Sequence, residues 1–166
     1  MERTRSNRIF IGIDNGVSGG ITILAESGFV HLHIQTPVKN CLNYTKAKAF
    51  INRVEFQELQ DLLVDNIAND TPFCMIERPM VNPMRFKASV SAIRCLESTE
   101  ILLESLKIPY QFIDSKEWQK ALLPSGLVKE ELKRAAESVA KRLFPKLTVV
   151  NADSVLIAEY CRRTKK

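Results

Sequence analysis

Three short apolar segments each meet one acidic residue: residues 9–14 reach Asp14, residues 73–77 reach Glu77, and residues 149–153 reach Asp153. The first two read as buried strands that stop at their acid. In the third, the Asp opens a helical pattern. A carboxylate where a strand stops or a helix starts is aimed by the buried scaffold behind it. Three such acids, far apart in sequence, are the donor set of a divalent-cation site, because magnesium takes oxygen ligands and needs only a few carboxylates. Each acid also has a plainer reading. Asp14 can open the Asn15-Gly16 turn, Glu77 can pair with a base such as Arg78, and Asp153 suits the positive end of a helix dipole.

The chain around these acids has 166 residues, 45% of them apolar. That is enough for one domain with a real core, and residues 1–166 are expected to form it, with short basic tails. No apolar run reaches the ~18 residues of a membrane span. The charged residues 1–8 do not resemble a signal peptide. Cys41, Cys74, Cys95 and Cys161 lie far apart, which argues against a zinc ligand set or a secreted disulfide framework. Reduced thiols and a cytoplasmic location follow.

The net charge is +5, and its placement matters more than its size. Arg3, Arg5 and Arg8 against Glu2 leave +2, and Arg162, Arg163, Lys165 and Lys166 against Glu159 leave +3, so the body is balanced. Within it, two stretches carry bases and no acids: Lys39, Lys46, Lys48 and Arg53, then Arg78, Arg85, Lys87 and Arg94. Such clusters can neutralise phosphates, or can form solvated faces.

Periodicity orders the chain. Residues 8–14, 21–24 and 29–36 read as a three-strand antiparallel meander. His31 and His33 share one face of the third strand and lack a third ligand nearby, so an exposed strand face is expected. Residues 37–50 are polar and basic and read as a loop. Phe56, Leu59, Leu63 and Ile67 repeat at helical spacing. A short strand at 73–77, a helix over 84–107, a strand at 108–113 and three further helices complete the pattern. In the 84–107 helix, Val90, Ile93, Leu96, Leu103 and Leu106 are expected to face inward. Asp114 or Ser115 can cap the next helix, and Trp118 is expected in the core. An antiparallel meander followed by alternating helices and strands predicts an α/β fold: a five-stranded mixed sheet with helices on both faces.

The motifs also carry a resemblance. Ile11-Gly12-Ile13-Asp14-Asn15-Gly16, with Gly19-Gly20 opening the next strand, resembles the first motif of RuvC-like Holliday-junction resolvases. Ile76-Glu77-Arg78-Pro79 resembles their second motif, and residues 152–158 their C-terminal helix motif. Residues 118–124 and 140–145 resemble the segment between these motifs in the bacterial and phage-type members. The resemblance covers nearly the whole chain. It implies a ribonuclease-H-like fold and a homodimer in a bacterial cell or phage-infected host. It implies an endonuclease that cuts four-way or branched DNA with Mg2+, for which Mn2+ can substitute. Asp14, Glu77 and Asp153 are its implied metal ligands and catalytic acids. An apolar side chain after the second acid, Met80 or Phe86, is the implied wedge into the junction.

Around that core, Arg78, Arg85, Lys87 and Arg94 are candidates for DNA phosphates, and Lys116 and Lys133 for the transition-state phosphate. Two departures from the family pattern stand out. Asn15 follows the first acid where Pro is common, one turn residue for another. The family usually has another acid three or four residues before the helix Asp, where this chain has Val149 and Val150. The nearest polar group is Asn151, which can coordinate through its amide oxygen and brings no charge. The rival readings are therefore a junction-binding protein with little or no catalysis, and another nuclease of the same fold. An actin-like kinase also uses an Asp-x-Gly phosphate loop, but this chain is too short for its two lobes.

Overall fold

A computed structural model describes residues 7–43, 45–67 and 70–165. The elements run β1 (Arg8–Asp14), β2 (Gly20–Ala25), β3 (Val30–Gln35), β4 (Val38–Leu42), β5 (Phe50–Val54), α1 (Phe56–Ile67), β6 (Thr71–Glu77), α2 (Phe86–Ser105), β7 (Tyr110–Ile113), α3 (Ser115–Leu122), α4 (Lys129–Leu143) and α5 (Ala152–Thr164). A 3-10 turn over Pro83–Arg85 leads into α2. The main sheet has the order β3-β2-β1-β6-β7. β1, β2 and β3 form the expected antiparallel meander, and β6 and β7 add parallel to β1 and to each other.

β1 is buried on both faces, so its two sets of alternate side chains build two cores. Ile9, Ile11 and Ile13 pack with Leu59 and Leu63 of α1 and with Leu102 and Leu103 of α2. Phe10 packs on the opposite face with Trp118, Ala136, Val139 and residues 155–157 of α3, α4 and α5. Each fully buried isoleucine contributes roughly 1.5–3 kcal/mol. Together they fix β1 as the central strand with helices on both sides. All four cysteines are free. Among the described residues no helix is long and apolar enough to cross a membrane.

α5 comes unusually close to this strand. Gly12 lies on the α5 face, and a Cβ there would overlap the backbone of Ser154 and Ala158. Gly20 on β2 does the same service for Asn151, whose Cβ would lie 2.6 Å from an added methyl. The two glycines let a helix lie on the sheet at backbone distance.

Two expectations fail. Residues 37–50 are not simply a loop: β4 and β5 pair as a separate two-stranded hairpin, from Val38 opposite Val54 to Leu42 opposite Phe50. Both strands are largely exposed, so the alternation that marks a half-buried strand is missing. Along α2 and its C-cap, Leu103 is buried and Leu96 and Leu106 pack against the core as expected, together with Cys95, Thr99 and Leu102, but Ile93 does not. Ile93 precedes Cys95 by two residues, roughly 160° around the helix, and is exposed.

The contact at Gly12 sets a stability test. Gly12→Ala forces α5 away from β1 and is expected to cost about 3 kcal/mol or more, read as a lower urea midpoint. An alanine at Gly28, where nothing lies within 4 Å but φ is +88°, should cost less.

Candidate active site

Strand parity brings the first two acids together. Asp14 follows Phe10 and Gly12 on the α5 face of β1, and Glu77 follows Phe73 and Met75 on the same face of β6. The parallel register pairs Ile13 with Ile76, so Asp14 and Glu77, one residue further, stand side by side at the carboxyl ends of adjacent strands. Asp153 enters from above, in the first turn of α5. The fold thus gathers the three predicted acids at one sheet edge, all half-buried.

Asn151 ties the two sides together. Its Oδ1 accepts the Ser154 N–H at 2.8 Å and so caps α5. Its Nδ2 donates to Asp14 Oδ2 at 2.8 Å. The amide oxygen predicted for a metal is thus engaged by the helix, while the nitrogen holds Asp14. A further chain of bonds supports this residue. The Val150 N–H donates to His33 Nε2 at 3.0 Å, which places the ring proton on Nδ1, facing Thr22 Oγ1 at 2.8 Å. Thr22 Oγ1 meets Ser154 Oγ at 2.8 Å, and Ser154 Oγ donates to the Asn151 carbonyl at 3.1 Å. His33 is therefore not on an idle exposed face. It is half-buried and bonded at both ring nitrogens, because the β2–β3 register sets it opposite Thr22. Burial lowers its pKa.

The electrostatics are those of acids pressed together. Burial, then the charges of Asp14 and Asp153, push Glu77 up to about 8. The Trp118 indole N–H opposes this rise from nearby, although it falls short of a regular hydrogen bond. Asp153 rises to about 6 through burial and the charge of Asp14; Lys133 offsets part of this and Glu137 adds to it. Asp14 also rises, because burial outweighs the Asn151 hydrogen bond. Among the described residues no three His, Cys, Asp or Glu side chains form a ready metal cage.

The predicted DNA-binding residues divide. Lys133 acts on Asp153 from α4. Arg78 pairs with Asp114 at 3.1 Å and lies over the Phe112 ring, so it does not neutralise Glu77 as an ion pair. Met80 and Phe86 are exposed, as are Met84, Arg85 and Lys87. Lys116 is exposed at the start of α3, and Arg94 is half-buried on α2. Trp118 is in the core as expected, and its indole reaches the site as well. The parts that Thr22, His33, Ser154, Trp118 and Glu137 play at the site escaped the sequence reading, since only strand register and helix docking bring them to the acids. The bases at the C-terminus are engaged elsewhere: Arg162 and Arg163 both pair with the buried Glu159.

No protein-family model matches this sequence, and no curated protein matches it. Solved structures do match. Thermus thermophilus RuvC in complex with a Holliday junction substrate aligns with TM-score 0.59 at 10% identity, covering 91% of this chain and 90% of that one. Another Thermus thermophilus RuvC structure aligns with TM-score 0.53 at 10% identity, covering 90% of each chain. The chain has the ribonuclease-H-like α/β fold of RuvC.

The raised carboxyls predict how the metal-free protein responds to pH. The folded state holds protons on Glu77 and Asp153 that the unfolded chain releases near pH 4–4.5, so folding takes up protons between those values and about 6 and 8. Metal-free stability should therefore fall as pH rises from about 4.5 to 8. Glu77→Gln should flatten much of this slope and raise the melting temperature at pH 8. Thermal melts in a chelator check it; an unchanged slope would sink the electrostatic account.

Proposed function

We propose that this chain, as one nuclease domain, is a structure-selective DNA endonuclease that resolves four-way junctions by metal-dependent phosphodiester hydrolysis. The observation that carries this reading is the convergence of Asp14, Glu77 and Asp153 on one sheet edge, each with a raised pKa. Carboxylates that repel one another at neutral pH form a donor set that a divalent cation relieves. Magnesium keeps several waters and binds through one or two carboxylates plus substrate phosphate, a demand these acids would meet. Bound Mg2+, or Mn2+ in its place, supplies an activated water and neutralises charge on the phosphate.

The residues of this chain have distinct tasks in that scheme. Asp14, Glu77 and Asp153 hold the cations. Asn151 keeps Asp14 in place by donating to its Oδ2 while its oxygen caps α5. Lys133, beside Asp153, reaches the scissile phosphate, and Lys116 a neighbouring one. Arg78, Arg85, Lys87 and Arg94 bind DNA phosphates, and the exposed Met80 or Phe86 inserts at the branch point. The substrate class rests on the resemblance of the motifs and on the fold shared with a RuvC whose structure holds a Holliday junction. A homodimer suits a four-way junction, since an isologous pair presents two equivalent sites. The exposed Ile93 and Ile101 of α2 supply apolar surface for such a pair.

One observation favours a second reading. Val149 and Val150 stand where another carboxylate is expected, and the nearest polar group is the neutral Asn151, so a junction-binding protein with little catalysis is the alternative. Cleavage of a synthetic four-way junction separates the two. The wild-type chain should nick it in magnesium or manganese, and Asp14→Asn should lower the rate on the order of 100-fold or more, the scale for losing a group that organises transition-state charge. Tight binding with no nicking in either metal favours the second reading. Equal cleavage by Asp14→Asn would remove the site from consideration.

A further inference from the structure

A groove of about 750 Å³ runs between the β4–β5 hairpin and the first half of α2. It is within the size range of pockets that enclose small organic groups. Its lining is mainly apolar, with Phe50 on β5 and Phe86 on α2. Both rings are strongly exposed, at 65% and 66%. The bases in its wall are Arg53, Lys87 and Arg94, against the single acid Glu97. None of these three bases makes an ion pair among the described residues. The fold has thus brought the two acid-free basic stretches of the sequence to opposite sides of one apolar cleft.

The groove also adjoins the acids. Val17, in the turn that follows Asp14, lines it. Asn15, next to Asp14, donates to the Ala92 carbonyl of α2 at 3.1 Å. Exposed aromatic faces beside unpaired guanidinium and ammonium groups form the chemistry that holds single-stranded nucleic acid: rings stack on bases while cations track the phosphates. An apolar peptide would leave Arg53, Lys87 and Arg94 without counter-charge.

We propose that this groove receives unpaired nucleotides of the DNA substrate, with a base against Phe50 and Phe86 and its flanking phosphates on Arg53, Lys87 and Arg94. The inference rests on the reading of the chain as an enzyme of branched DNA, and it names where a strand released from pairing goes. The hairpin lies outside the main sheet, so it can be altered without touching the acids.

The test is fluorescence anisotropy with a labelled oligothymidylate of about 12 nucleotides, in a chelator so that nothing is cut. Phe50→Ala is expected to weaken binding about 10-fold, the scale of one lost base stack. Arg53→Ala should lower the slope of log affinity against log salt by about 0.7. Phe50→Trp should keep the affinity and show quenching of the introduced indole, beyond any change at the buried Trp118 of the wild-type chain. Unchanged affinity in Phe50→Ala overturns the proposal. So does a Phe50→Ala chain that sediments as monomer where the wild type is a dimer and binds the oligonucleotide equally well, because the groove then holds a second copy. Junction cleavage by the same proteins separates this idea from the nuclease reading. Phe50-dependent oligonucleotide binding in a wild-type chain that cuts no junction supports the groove and defeats the nuclease. Normal cleavage with Phe50-independent binding defeats the groove alone.

Discussion

The backbone contact between α5 and β1 at Gly12 is the constraint on which the site depends. A strand and a helix ordinarily meet through side chains. Here the helix lies against bare strand backbone, because any Cβ at Gly12 would overlap residues 154 and 158. That approach puts the first turn of α5 within hydrogen-bonding reach of the end of β1. Asn151 then spans the gap, capping the helix with its oxygen and holding Asp14 with its nitrogen. Asp153 is carried to the strand ends by the same contact. Without it, the acids of β1 and β6 would remain neighbours, but the third would have no fixed relation to them.

The placement carries an electrostatic cost that the rest of the fold absorbs. Half-buried carboxylates at neutral pH oppose folding, and the rise of Glu77 to about 8 reflects that opposition. Local donors soften it only in part: Asn151 at Asp14, the Trp118 indole near Glu77, and Lys133 across from Asp153. The central strand supplies the excess, through three isoleucines on one face and Phe10 on the other. Stability stored in an apolar strand holds an unfavourable charge arrangement at its end, which is the usual relation between a core and a reactive site.

Much of this was legible because burial leaves strong patterns. A strand covered on both faces reads as a continuous apolar run, and the acid that ends it is conspicuous; Asp14 and Glu77 were visible for that reason. The helical spacing of Phe56, Leu59, Leu63 and Ile67 carried α1 in the same way. The β4–β5 hairpin left no such mark, since neither face is deeply buried and its apolar Val38, Leu42 and Phe50 stand exposed among polar neighbours. Ile93 misled because an apolar residue at helical spacing suggests a core, while in that stretch of α2 the small side chains Cys95 and Thr99 turn inward. His33 was read from its own strand, whereas its role depends on Thr22 and Val150, set by a register and a helix docking that one segment cannot reveal.

Asn151 shows why counting acids along the sequence is an incomplete guide to a site's charge. A carboxylate in its place would repel Asp14 at hydrogen-bond distance and raise its pKa further. The amide instead donates to Asp14, stabilises its ionised form and still caps α5 through its oxygen. Meanwhile Glu137 on α4 adds negative charge to Asp153 from a part of the chain that no motif connects to it. A fourth acid is thus near the site in space although absent from the expected sequence position. The charge around Asp153 is set by which faces of α4 and α5 meet, and Lys133, four residues before Glu137, enters by that same face. Cation affinity in this chain then depends on helix packing as much as on the ligands themselves.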